Sequence, residues 1–165
     1  MEEYGFFLTY NERSDVIRLP VNPESLEIKA GNDSKARTIV DFGQINEIQY
    51  PKLREFSFSS FFPAQDYPFV VGERHEPLYY INMIQKWMEA RRPIRFVFSG
   101  IMRTDTGNAT DSSQLLNQAL NGQVDFAINL AVSIENFDWS IQAGTQDIDY
   151  NIAFKEFTFY EARKL

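Results

Sequence analysis

The segment from His75 to Gly100, HEPLYYINMIQKWMEARRPIRFVFSG, constrains the fold more than any other part of the chain. Pro77 suits the first turn of a helix, where its missing N–H would have no partner. Pro93 ends the helix because the residue before a proline is disfavoured in the α conformation. The segment therefore predicts one amphipathic helix over about residues 76–91, followed directly by a strand.

The side chains of this segment repeat with two different periods. Apolar residues recur at spacings of three and four before Pro93, while polar residues fall between them, so one face of the helix should be buried. After Pro93 the period changes to two, which is typical of a strand. A sheet is needed to cover the apolar helix face, whose residues are Tyr80, Ile81, Ile84, Trp87 and Met88.

The chain before the helix is rich in strand-forming residues. Residues 4–10 and 16–19 predict a hairpin around the polar turn at 11–15. A short strand at 26–29, followed by the turn sequence GNDS, predicts a second hairpin with the segment that begins at Ala36. Between Leu53 and Phe62, phenylalanine alternates with serine, which predicts a strand that ends at Pro63.

The chain after the helix adds strands and a polar insertion. A strand is predicted from Val124 to about Ile134, then a turn that contains Trp139. The final strand is dense in aromatic residues, so we expect a bulge or burial on both of its sides. The polar composition of residues 103–123 predicts an excursion from the domain, with a short helix over 111–121.

Taken together, these elements predict one domain over residues 1–165. Strands outnumber helices. The elements do not alternate between strand and helix, so the order of elements does not favour a parallel sheet. The predicted class is α+β, with a largely antiparallel or partly barrel-like sheet packed on the main amphipathic helix.

Charge and composition exclude several classes of protein. The net charge is −7, and the excess lies between Thr104 and Phe154, which contains seven acidic residues and neither Lys nor Arg. Such a surface would repel nucleic acid; it is either a solvated acidic face or a docking surface for a basic partner protein. The absence of cysteine excludes disulfides and thiolate metal sites. The acidic N-terminus and the lack of a long apolar run predict neither a signal peptide nor a membrane span.

The sequence offers no constellation for catalysis, so we do not expect an enzyme, a metal site or a cofactor. His75 is the only histidine, and the segment HEPLY departs from the zinc-binding HExxH pattern. The carboxylate pairs Asp147 with Asp149 and Glu135 with Asp138 could be proposed as acid and base, but their spacing does not place them across a cleft. Nucleophile elbows and phosphate-binding loops are absent.

Four phrases of the sequence together resemble a known family. They are LPVNPESLEIKAGNDSKARTIVDFGQIN, LREFSFSSFFPAQDYPFV, PLYYINMIQKWMEARRPIRFVFSG and VSIENFDWSIQAGTQDIDYNIAFKEF. In this order they resemble the N-terminal domain of the XkdP-like and gp53-like baseplate proteins of contractile phage tails and phage-tail-like bacteriocins (tailocins). Family members often continue into a peptidoglycan-binding LysM module. This sequence ends at Leu165, so cell-wall binding is not carried over, and the segment 104–123 is longer and more polar than the family leads us to expect.

The resemblance implies a structural subunit of a baseplate. Such a subunit would join the central hub to the surrounding wedges and support sheath and tube assembly, with six copies around the tail axis. It would be assembled in the bacterial cytoplasm and reside in the mature particle. Its partners would be other baseplate proteins, such as hub or spike proteins, wedge proteins, and tube or sheath initiators. It would bind neither nucleic acid nor a membrane.

We expect the contact residues among aromatic and apolar side chains outside the core and among the acids of the C-terminal third. The predicted interface residues are Phe62, Pro63, Tyr67, Pro68, Phe69, Asp138, Trp139, Asp147 and Asp149. Aromatic anchors dominate the binding energy of many protein interfaces. The alternative interpretation is a free-standing ligand- or glycan-binding module that uses exposed aromatic side chains.

Overall fold

The structure, a computed structural model, describes residues 5–11, 13–100 and 126–159. The predicted excursion at 103–123, with its short helix, lies outside these ranges. Within them the elements are β1 (Gly5–Tyr10), β2 (Asp15–Arg18), β3 (Glu27–Lys29), β4 (Lys35–Ile39), β5 (Gly43–Glu47), β6 (Glu55–Phe62), α1 (Pro77–Ala90), β7 (Ile94–Gly100), β8 (Phe126–Ile141) and β9 (Ile148–Glu156).

The described strands form a seven-stranded sheet in the order β2-β1-β7-β8-β9-β6-β3 and a separate two-stranded ribbon of β4 and β5. All strand pairs are antiparallel. The sheet is open rather than barrel-like, because β2 and β3 lie at its two ends without pairing to each other. The predicted α+β class is confirmed.

Helix α1 has the limits that its prolines predict, to within one residue. Pro77 occupies the start of the helix. The chain leaves the helix at Arg91, whose left-handed φ of 55° lets its N–H donate to the Met88 carbonyl at 3.2 Å. Among the described residues, no helix has both the length and the apolarity needed to cross a bilayer.

The apolar face of α1 packs on one face of the sheet. Tyr80, Ile81, Ile84 and Trp87 are buried as predicted, and the Trp87 ring stacks on Tyr10 with centroids 5.9 Å apart. Burial of such side chains contributes roughly 1.5–3 kcal/mol each before entropy is subtracted. The predicted fifth member of this face, Met88, is partly exposed in the last turn of the helix.

Two predictions about the strands are wrong. The segment 26–29 does not form a hairpin with the strand that follows it, because β3 pairs with β6. The hairpin turn instead lies between Ile39 and Gly43, where Asp41 and Gly43 take positive φ angles of 68° and 106°. These two residue types tolerate the left-handed conformation better than the β-branched residues around them.

The second error concerns the C-terminal strands. β8 continues to Ile141 instead of turning near residue 134, and the bulge lies in β8, between Ile134 and Asn136. The bulge shifts the register by one residue, so β8 keeps its pairing with β9 beyond it. In β9, buried residues alternate with more exposed ones, and Phe157 and Phe159 lie beyond its end.

Candidate interaction site

A cluster of three aromatic rings lies where β6 ends. Phe61 is the penultimate residue of β6, and Tyr67 and Phe69 come from the following loop, residues 63–71, which we call the aromatic loop. The rings of Tyr67 and Phe69 stack at 5.1 Å, and Phe61 meets them edge-on at 6.4 Å and 5.9 Å. Phe69 is 50% exposed and Pro68 is also exposed, so the cluster presents an apolar surface to solvent.

Asp147 holds the aromatic loop against the sheet through hydrogen bonds. Its Oδ1 accepts the Ala64 N–H at 2.7 Å, and its Oδ2 accepts the Tyr67 O–H at 3.0 Å. The bond to the Asp147 carboxylate, followed by desolvation, raises the pKa of the Tyr67 hydroxyl above its usual value. Asp147 ends the β8–β9 connection and is only 8% exposed, so a carboxylate of this hairpin orders the loop between β6 and α1.

Further bonds hold both ends of the aromatic loop. The Val71 N–H donates to the Pro20 carbonyl at 2.9 Å. Arg74 donates to Asp66 at 2.7 Å, which is an ion pair between a largely buried guanidinium and an exposed carboxylate. The loop is therefore an ordered platform for its aromatic rings rather than a loose connection.

Two predicted interface residues, Phe62 and Pro63, lie in the interior. Phe62 is 0% exposed, and its ring stacks between Tyr80 at 4.7 Å and Tyr150 at 4.2 Å. The prediction that Phe62 and Pro63 form part of an exposed anchor is wrong. The reason is strand parity: residues of β6 alternate between the two faces, so Phe62 follows Phe56 and Phe58 into the core, whereas Phe61 faces outward.

The predicted acids divide into exposed and internal groups. Asp138 and Asp149 are exposed and lie on the sheet face opposite the helix, together with Phe61, which pairs directly with Asp149. Asp147 is occupied by the aromatic loop, so it is not available as a free docking charge. The structure thus brings Asp138 and Asp149 to the same face as the aromatic cluster.

Trp139 lies apart from this surface. It belongs to β8 and not to the predicted turn. Because it pairs directly with Tyr150, its side chain lies on the same, helix-facing side of the sheet as that of Tyr150. At 38% exposure it is accessible near the end of its strand.

The outward face beside the aromatic cluster is a broad polar groove of about 1230 Å³. Serine and asparagine side chains of β6, β8 and β9 form its floor, and its lining includes more acidic than basic residues: Glu24, Glu27, Glu55, Glu135, Asp138 and Asp149 against Lys29 and Lys155. Within the described residues no group of three or more potential metal ligands occurs. The arrangement offers binding surface, and we assign no reaction to it.

Sequence reasoning missed Phe61 as a member of the predicted interface. A signal for it was present, because counting in steps of two from Phe56 places Phe61 on the face opposite the core.

The chain is similar in sequence to a bacterial protein. No family model matches the chain. It is 30% identical over 166 aligned positions to the uncharacterized protein YqbP of Bacillus subtilis (strain 168). The alignment covers 98% of this chain but 63% of YqbP, so the chain spans less than two thirds of that relative.

Solved structures with partial likeness come from contractile particles. The tube-terminating cap of the anti-feeding prophage (AFP) gives a TM-score of 0.49 at 11% identity, over 92% of this chain and 83% of the cap chain. A chain of the PVC sheath–tube complex, an extracellular contractile injection system in its extended state, gives 0.48 at 12% identity over 96% and 88%. A chain of the six-fold symmetrised AFP baseplate gives 0.48 at 6% identity over 96% and 91%. Likeness at this level carries no argument about family or function.

Proposed function

We propose that this chain is a structural, non-enzymatic subunit of the baseplate of a contractile tail or injection particle. In this role it joins the central hub to the surrounding wedges and supports the assembly of sheath and tube. Its partners are other baseplate proteins, and six copies surround the tail axis.

The observation that supports the proposal is that three motifs of the family resemblance meet at the end of β6, beside the aromatic loop: PVNP (residues 20–23), FSSFFPA (residues 58–64) and the unit of helix α1, Pro93 and strand β7. In PVNP, the Pro20 carbonyl accepts the Val71 N–H, and the Val21 carbonyl accepts the Ser60 hydroxyl at 3.0 Å. Ser60 and Phe62 belong to FSSFFPA, and Phe62 stacks on Tyr80 of the helix–proline–strand unit. Segments far apart in the sequence thus build one corner of the fold and the platform on it.

The chemistry of this corner favours a protein partner. An ordered aromatic cluster can supply the apolar anchor of an interface, since the loop loses little conformational entropy on binding. The exposed carboxylates of Asp138 and Asp149 on the same face favour a partner with positive charge beside its apolar group. Assembly through such a surface requires no bond-making step.

Phe69→Ala is expected to impair particle assembly without unfolding the chain. Removal of an aromatic anchor from a contact of this kind costs about 2 kcal/mol, or roughly thirty-fold in affinity. The measurement is a count of intact sheathed particles by electron microscopy after expression of the whole particle operon with the variant chain.

Phe159→Ala is the matched control, because Phe159 is a similarly exposed aromatic residue beyond the opposite end of β9. Normal particle counts with Phe69→Ala would contradict the assignment of the aromatic loop to assembly. Saturable binding of the purified chain to a glycan, lost in Phe69→Ala while particles stay intact, would favour the binding-module alternative.

A further inference from the structure

Strand β8 extends well past its neighbour on one side. It pairs with β7 only over residues 126–132, whereas its pairing with β9 continues to Ile141. Beyond Val132, the side of β8 that faces away from β9 therefore has no strand beside it in the described part of the chain. We call this side of residues 133–141 the open edge, and at about 3.3 Å per residue it is roughly 30 Å long.

The backbone groups of three residues point out from the open edge. The Gln142 N–H donates to the Asp147 carbonyl at 2.8 Å, so Gln142 bonds toward β9. In an antiparallel pair, residues that bond to the partner strand alternate with residues whose N–H and C=O point to the other side. Counted back from Gln142 through the regular register with β9, the alternation turns the N–H and C=O of Phe137, Trp139 and Ile141 toward the open edge.

These backbone groups fit one more strand. Among residues 5–11, 13–100 and 126–159, the backbone hydrogen bonds include no partner for them on this side. The two outermost strands of the sheet, β2 and β3, have only four and three residues, and such short edges limit pairing with other chains. The open edge of β8 is longer, and an extended backbone presents donors and acceptors at the matching spacing.

The side chains on the helix-facing side of the open edge are apolar. Trp139 and Ile141 are 38% and 59% exposed there, and Phe137 is partly buried with its ring 6.1 Å from that of Tyr150. Side chains that lie opposite each other in paired strands point to the same face. Every second residue of an added strand would therefore lie beside this apolar row, which favours apolar residues at those positions.

The other side of the open edge carries negative charge. Asn136, Asp138 and Ser140 lie there, and Asp138 is exposed. The sequence has neither Lys nor Arg between Thr104 and Phe154, so β8 and the residues of β9 opposite it supply no cation for Asp138. A second copy of β8 would bring none either, and two chains of net charge −7 repel each other. A lysine or arginine from a different protein, placed across the strands from Asp138, is favourable.

We propose that an extended segment of a different protein, with apolar residues at alternate positions and lysine or arginine between them, adds a strand to β8 along residues 137–141. It bonds to the backbone of the open edge, packs on Trp139 and Ile141, and places a cation beside Asp138. This contact goes beyond the proposed function, because it does not use the aromatic loop. It gives Trp139, which lies apart from that loop, a contact of its own.

The probe for this contact is the peptide Lys-Val-Lys-Val-Lys-Val-Lys, acetylated and amidated at its ends, added to the ¹⁵N-labelled full chain. NMR measures the exchange of individual amide hydrogens. The amides of Phe137, Trp139 and Ile141 should exchange rapidly in the free chain and at least about tenfold more slowly when the peptide is bound. A peptide with glutamate in place of each lysine should not protect them.

Two substitutions separate backbone pairing from charge. Trp139→Pro removes the N–H at the open edge and keeps the bonds to β9, whereas Trp139→Ala removes the side chain alone. The proline variant should therefore bind the lysine peptide at least about tenfold more weakly than the alanine variant. Asp138→Lys, at an exposed position, should lose the lysine peptide and gain the glutamate peptide.

Equal binding by Trp139→Pro and Trp139→Ala, or no protection of the Trp139 and Ile141 amides by the peptide, would contradict an added strand. Slow exchange of these amides in the dilute free chain would mean that the chain itself pairs with this edge. Protection that grows with the concentration of the chain alone would mean that a second copy does, and either result would overturn the proposal. Because none of these measurements involves particle assembly, their failure leaves the test of the proposed function by Phe69→Ala unchanged.

Discussion

Phe62→Ala is expected to lower the free energy of unfolding by about 3–5 kcal/mol, because it empties a site between two stacked aromatic rings. The Phe62 ring lies 4.7 Å from that of Tyr80 and 4.2 Å from that of Tyr150, so its loss removes the contact between β6, the helix and β9 at once. Urea unfolding followed by tryptophan fluorescence measures the change. It should appear as a lower transition midpoint.

Phe69→Ala is the matched control for this experiment, since it removes the same side chain from a half-exposed position seven residues along the chain. It should change stability by less than about 1 kcal/mol. Equal effects of the two substitutions would mean that Phe62 is not the core residue described above and would restore it as a surface anchor.

The second large effect is expected for Asp147→Ala. The carboxylate accepts two hydrogen bonds, from the Ala64 N–H and the Tyr67 hydroxyl, and alanine offers no acceptor for either. Loss of a bond to a partly buried carboxylate costs about 1–3 kcal/mol. Hydrogen exchange should show lost protection of the Ala64 amide, and the aromatic loop should become more sensitive to proteases.

Asp149→Ala separates this effect from a general change of charge. Asp149 lies two residues further along the chain, on the exposed face of β9, so its replacement removes the same charge without releasing the loop. We expect near-normal stability and exchange for this control. If the two variants behave alike, Asp147 does not hold the aromatic loop.

Much of the central architecture could be predicted because single residues control it. Pro77 and Pro93 limit the helix by removing an N–H and restricting the preceding residue, and these effects are local. The alternation of phenylalanine and serine in β6 reports burial directly, because strand side chains alternate between the two faces. The resulting α+β fold follows from these periodicities.

The errors arose where distant pairing decides the outcome. β3 pairs with β6, across the whole of the β4–β5 ribbon, and no local signal distinguishes that partner from the strand that follows β3. The bulge in β8 was expected in the final strand, because aromatic density was the only guide to it. Asp147 looked like an ordinary surface acid, since its two donors come from a loop about eighty residues earlier in the chain.

The candidate site was predicted in part. Tyr67, Pro68 and Phe69 lie on one surface, and Asp138 and Asp149 lie on the same face of the sheet. Phe62 was assigned to the surface because the prediction counted aromatic residues near Pro63 and did not apply the parity of the strand to them. The exposed β4–β5 ribbon was not recognised, because the apolar residues at its turn, Val40 and Phe42, look in sequence like part of a buried strand.

The proposed role is tested most directly by determining whether this chain is built into a contractile particle. Sheathed particles purified from the bacterium that encodes the chain should contain it in a fixed ratio to the other baseplate proteins by quantitative mass spectrometry. Cryo-EM of those particles should place six copies between hub and wedges, with the aromatic loop in a protein contact. Intact sheathed particles without the chain, while it accumulates free in the cell, would contradict a structural role in the baseplate.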